Sequence, residues 1–149
     1  MWIDDFTEMA DATALNTGGA GSYLVGDVID TTLVSKDLGI GEDLWIVIQV
    51  DTTATSGGSA TGNFQLASDA QAAIATDGSA TVHLSSGAIA VATLVAGYTI
   101  MAARLPVGTY ERYIGILQTT ATAAFTAGKI NAFLTKNYPK YIAFADASN

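Results

Sequence analysis

Leu44-Trp45-Ile46-Val47-Ile48-Gln49-Val50-Asp51 is the run whose reading decides the fold class. In an extended chain Leu44, Ile46, Ile48 and Val50 fall on one face, and the run exits into polar residues, the period-two signature of a half-buried β-strand. The stretch Thr52 to Gly62 holds only small turn formers around Gly57-Gly58 before Asn63-Phe64-Gln65-Leu66 resumes the alternation. That composition predicts a mobile hairpin connection. Tyr98 to Leu105 reads as a second long strand, stopped by Pro106 and Gly108, with Glu111 to Gln118 as a third strand and its hairpin partner. After a break at Phe125-Thr126-Ala127-Gly128, Ile130, Ala132 and Leu134 alternate in a fourth.

Short strands at these spacings, separated by Gly, Thr and Ser, predict an all-β chain: a jelly-roll-like antiparallel β-sandwich with N- and C-terminal extensions. Helix is scarce. The best windows, Phe6 to Leu15 and Asp69 to Ala75, are Ala-rich but too short to be stable alone, so doubly wound and α/β barrel enzymes are discounted. At 149 residues the chain fits one jelly-roll domain over 1–149. Residues 1–27, which include Gly18-Gly19-Ala20-Gly21, are expected to form an N-terminal arm, and residues 137–149, with Tyr138, Pro139, Tyr141 and Phe144, a C-terminal tail.

Charged residues make up 13% of the chain, about half the usual share. A surface so poor in charge is expected to be covered in part by a partner. The net charge is −8, with 12 acids against Lys36 alone in residues 1–77 and five bases against two acids in residues 98–149. Such a split could steer docking, unless folding intermixes the two halves. An acidic chain without a basic run is not expected to bind nucleic acid, which needs clustered Lys or Arg. No stretch reaches the length of a membrane span, and the acidic start Met1-Trp2-Ile3-Asp4-Asp5 is unlike a signal peptide, so a soluble protein without membrane partner or export signal is expected. There are no cysteines, so stability must come from packing or assembly.

The residues offer little chemistry. His83 is the single histidine; Ser85 and Ser86 follow it, but no Gly-x-Ser-x-Gly elbow is present, and a strand or loop histidine is the better reading. Asp4, Asp5, Glu8 and Asp11 approach helical spacing and read as a solvated acidic segment; a glycosidase pair would leave no signature. Asp27, Asp30, Glu42 and Asp43 lack the calcium-loop pattern, and the glycine groups lack dinucleotide or phosphate-loop spacing. No enzyme, cofactor or metal is expected. Trp2, Trp45, Phe64 and Tyr98 could stack on sugars, which keeps a carbohydrate-binding jelly roll as the alternative.

An ordered series of phrases carries a resemblance. Gly41 to Asp51, Phe64 to Asp69, Ser85 to Ile89, Leu94 through Gly108 to Arg112-Tyr113, and Thr126 to Thr135 resemble the capsid cement, or decoration, proteins of short-tailed bacteriophages of the Bordetella phage type. The resemblance spans roughly residues 38 to 136. It implies a jelly roll on the outer surface of the capsid, made in the host cytoplasm, without catalysis, forming symmetric oligomers across contacts between major capsid proteins. The expected partners are therefore the major capsid protein and further copies of the chain, as dimer or trimer. Trp2, Phe6, Tyr138 and Tyr141 are the candidate anchors of the arms, because buried aromatics dominate interface energies. Arg104 and Arg112, flanking the Pro106-Val107-Gly108 turn, are candidates to pair with a neighbour's acids, solvated strand-end charge being the plainer reading.

Overall fold

A computed structural model describes residues 7–32, 43–136 and 138. Among these residues nine strands form: β1 (Glu8–Ala14), β2 (Gly21–Asp30), β3 (Trp45–Ser56), β4 (Thr61–Asp69), β5 (Thr81–Ser85), β6 (Ile89–Ala90), β7 (Thr99–Arg104), β8 (Tyr113–Ala121) and β9 (Phe125–Thr135), with a 3-10 turn at Val91–Thr93. They make two antiparallel sheets, ordered β1-β9-β3-β7 and β2-β8-β4-β5, with β6 joining β4. The ladders β1·β9, β2·β8, β3·β7 and β4·β5 are the rungs of one long antiparallel hairpin, and β9·β3 and β8·β4 close it after it rolls up. That is the jelly roll.

The alternation in the sequence produces the core. Ile46, Ile48 and Val50 of β3 and Ile130, Ala132 and Leu134 of β9 meet Phe64 and Leu66 of β4 and Ile114 and Ile116 of β8 between the sheets. Burying each large apolar side chain stabilises the fold by roughly 1.5–3 kcal/mol. The outer face of the second sheet carries a smaller cluster, where the 70–80 loop lays Ile74 over Ala67 and Leu117. Gly115 permits this approach, since a Cβ there would lie 2.6 Å from the Ile74 Cδ1.

Several expectations are corrected. Residues 8–27 are not an arm: β1 and β2 are sheet strands, with Met9, Ala10 and Val25 buried in the core. Residues 1–6 lie outside the described residues. β1 also occupies most of the Phe6 to Leu15 helical window, because pairing with β9 outweighs the weak intrinsic preference of a short Ala-rich segment. In the Asp69 to Ala75 window, the Asp69 carboxylate accepts the N–H groups of Gln71 (3.2 Å) and Ala75 (2.9 Å), and the backbone turns instead of coiling. These donors hold the Asp69 carboxyl below the usual range.

β7 and β8 are not hairpin partners. They belong to different sheets, and the 105–112 connection crosses the sandwich, as consecutive strands do away from the tip of a rolled hairpin. Phe125 to Gly128 is the start of β9 and not a break before it. The β3–β4 connection shrinks to residues 57–60, because Thr and Ser extend both strands.

Candidate assembly surface

Rolling the hairpin sends alternate loops to opposite ends. The 70–80 and 105–112 loops share one end; the 15–20, 57–60, 86–98 and 122–124 segments share the other. The first end is charged. It carries Asp30, Asp43, Asp69, Asp77, Arg104, Glu111 and Arg112.

The charged end holds three of the side chains singled out from sequence. Arg112 donates from Nε to Asp30 Oδ1 (3.0 Å) and from its terminal nitrogen to Oδ2 (2.8 Å), while its guanidinium lies 4.8 Å from the centre of the Tyr113 ring. The Thr31 N–H and hydroxyl both donate to the Arg112 carbonyl, at 2.9 and 2.8 Å, so the arginine ties the exit of β2 to the entry of β8. Arg104 pairs with Asp43. Both arginines are thus engaged within the chain. Tyr138 stacks on Trp45, centroids 5.7 Å apart, beside the Trp45–Arg104 cross-strand pair. Trp2, Phe6 and Tyr141 lie outside the described residues.

These pairs also correct the picture of an electrically divided molecule. Each arginine of the basic half meets an acid of the acidic half, and five of the strand ladders join early strands to late ones. The Arg112 guanidinium holds the Asp30 carboxyl well below the usual carboxylate range. The folded form therefore binds this proton less readily than the unfolded form, so the pair's contribution is complete above about pH 4 and fades as pH falls below it. Arg112→Ala is expected to lower the urea midpoint at neutral pH and to flatten its acid dependence; an acid limb identical to that of the parent chain would show that the pair contributes nothing.

His83 does not meet the serines beside it in sequence. Ser85 Oγ donates to Asn63 Oδ1 (2.8 Å), and Ser86 Oγ donates to the Gly87 carbonyl (2.8 Å). The ring partner is Ser68 of β4, 2.7 Å from Nε2, brought there by the β4–β5 ladder. Ser68 is completely buried, out of reach of a substrate. Among the described residues no three His, Asp or Glu side chains are grouped to hold a metal ion.

The opposite end is different in kind. Residues 12–26, 52–68, 84–103 and 113–128 supply it, and they include no ionisable side chain other than tyrosine; Asp51 of β3 and Lys129 of β9, which pairs with Ala14 and Thr52, stand just beyond them. The exposed positions are Gly, Ala, Ser and Thr, with Val95 at 47% exposure as the one large apolar side chain.

These loops are fastened to one another. Buried Gln118 accepts the Asn16 N–H (2.9 Å) and donates to the Asn16 carbonyl (3.0 Å), pinning the 15–20 loop. Val91 N–H reaches the Ala60 carbonyl (2.9 Å), Ala54 N–H the Leu94 carbonyl (2.8 Å), Ala96 N–H the Thr53 hydroxyl (2.9 Å), and the Ser56 hydroxyl the Ala124 carbonyl (2.7 Å). An uncharged surface of small residues, already ordered, loses little entropy on docking and leaves no charge to desolvate. No short motif marks it. The signal in the sequence was the low charge density, and folding is what gathers the four uncharged segments.

A model of the family described as Bbp16 matches residues 9–134, from the second residue of β1 to the penultimate residue of β9. No protein among those with curated descriptions matches the chain.

Proposed function

The chain belongs to the Bbp16 family, and from that membership and the uncharged end of its jelly roll we propose that it is a structural virion protein of a bacteriophage. It binds the outer surface of the capsid and cements neighbouring major capsid proteins against the pressure of packaged DNA. The family name suggests a Bordetella phage protein, which agrees with the likeness to cement proteins in the sequence.

The observation that carries the reading is the preorganised, charge-free end. Interface cores are depleted of charge, and small side chains let a partner's backbone come close. This end has no Trp or Arg anchor, so each contact is weak. Closed homo-oligomers, dimers or trimers, that engage several shell subunits at once gain about 10²–10⁴ in avidity. The role requires no catalysis and no cofactor.

A second reading has one observation in its favour. On the outer face of the second sheet Ser22, Thr119 and Gln65 form a hydrogen-bonded row, with Ser85 and Asn63 beside it, and such neutral groups suit a glycan. Purified protein added to shells of the major capsid protein from the same phage separates the two. Saturable binding at a fixed ratio, with shells surviving greater heat, is expected for a cement; glycan binding with no shell binding would favour the second reading.

A further inference from the structure

We propose that His83 is an acid-sensitive latch, holding the 105–112 loop against β5 while its ring is neutral and releasing it when the ring is protonated. Three elements meet at the ring. From β4, Ser68 lies 2.7 Å from Nε2; from the loop, Tyr110 stacks on the imidazole with centroids 3.9 Å apart; and the Glu111 N–H donates to the same Ser68 oxygen at 3.1 Å. The loop is braced further where the Tyr110 hydroxyl donates to the Pro106 carbonyl (2.8 Å) and the Thr81 hydroxyl of β5 donates to Glu111 Oε1 (2.7 Å). Val107, fully exposed, stands at its tip.

The hydrogen-bond inventory makes the arrangement depend on charge. Ser68 has one proton to give and, being wholly buried, no water to give it to. With the ring neutral and its proton on Nδ1, Ser68 donates to Nε2 and accepts from the Glu111 N–H, so the serine hydroxyl is satisfied both as donor and as acceptor. Protonation turns Nε2 into a donor. The serine then faces two donors and its own proton has no acceptor, so the ring must leave, taking the Tyr110 stack with it.

Two titratable groups face the ring, Tyr110 and Glu111. Burial holds His83 below its usual value, while the Glu111 carboxylate favours the charged ring and opposes release. Burial prevails. The stability contributed by the neutral ring is therefore complete above the ordinary histidine value, about 6.5, and is lost as pH falls from there through the lower folded value.

Amide hydrogen exchange on the whole protein, corrected for intrinsic rates, tests this at about pH 7.5 and about pH 5, either side of the histidine range. Protection of the Glu111 amide is expected to fall about tenfold or more on acidification relative to Ile48 in the core, the change of one pKa unit. His83→Gln keeps a side-chain oxygen that can accept from Ser68, and should hold Glu111 protection equal at both pH values. Unchanged protection in the parent chain, or a loss that persists in His83→Gln, overturns the proposal. Should the variant not fold, NMR titration of the parent decides: a shared midpoint for the His83 ring and the Glu111 amide supports the latch, and separate midpoints overturn it.

Discussion

Gly26→Ala is expected to lower the free energy of unfolding by about 2–6 kcal/mol, a large part of the roughly 5–15 kcal/mol that holds a domain of this size together. Gly26 has φ +77°, in the left-handed region, and a Cβ on it would lie 2.1 Å from the Met9 carbonyl oxygen. The backbone conformation alone costs a side-chain-bearing residue about 1–3 kcal/mol. Relieving the clash means moving β1, whose Met9 and Ala10 are in the core, at a further cost of about 1–3 kcal/mol. Gly57→Ala is the control, since nothing lies within 4 Å of a Cβ there, and it should change stability by less than about 0.5 kcal/mol. Equal denaturation midpoints for the two variants would mean that β1 and β2 do not cross as described and that an N-terminal arm is the better account of these residues.

The second large effect is on binding. Ser59→Asp and Ala92→Asp each put a carboxylate on an exposed position of the uncharged end. Neither side chain is packed, so the free protein should keep its stability within about 0.5 kcal/mol. Bound to a shell, the new carboxylate would be desolvated without a partner, at a cost of several kcal/mol, and affinity for shells should fall about thirtyfold or more. Val107→Asp, at the tip of the loop on the charged end, should bind as the parent does. If all three variants bind equally, the uncharged end is not the contact.

The sequence made some of this visible and hid the rest for physical reasons. The alternations at Ile46, Ile48 and Val50 and at Ile130, Ala132 and Leu134 reveal β3 and β9, because a strand with one face in the core writes its period directly. The partnering of strands left no such mark. In a rolled hairpin Glu8 pairs with Phe133, and Arg112 finds Asp30 across 82 positions, so proximity in the chain misleads: Tyr98–Leu105 and Glu111–Gln118 look like a hairpin and lie in opposite sheets.

The candidate surface was hidden in the same way. Gly18-Gly19 reads as part of an arm and Gly57-Gly58 as a hairpin connection, and their lack of charge means something only once the fold sets them at one end with Val95-Ala96-Gly97. His83 shows the converse. Its serine neighbours in sequence are occupied elsewhere, and the ladder of β4 with β5 supplies Ser68 instead.

The arrangement of the protein on a decorated particle tests the central claim most directly. A cryo-EM map of shells saturated with the protein should show the jelly roll on the outer surface, with the 15–20, 57–60, 86–98 and 122–124 segments buried in protein contacts across neighbouring shell subunits. A map in which those segments point freely into solvent, or in which the shells carry no added density, would contradict it.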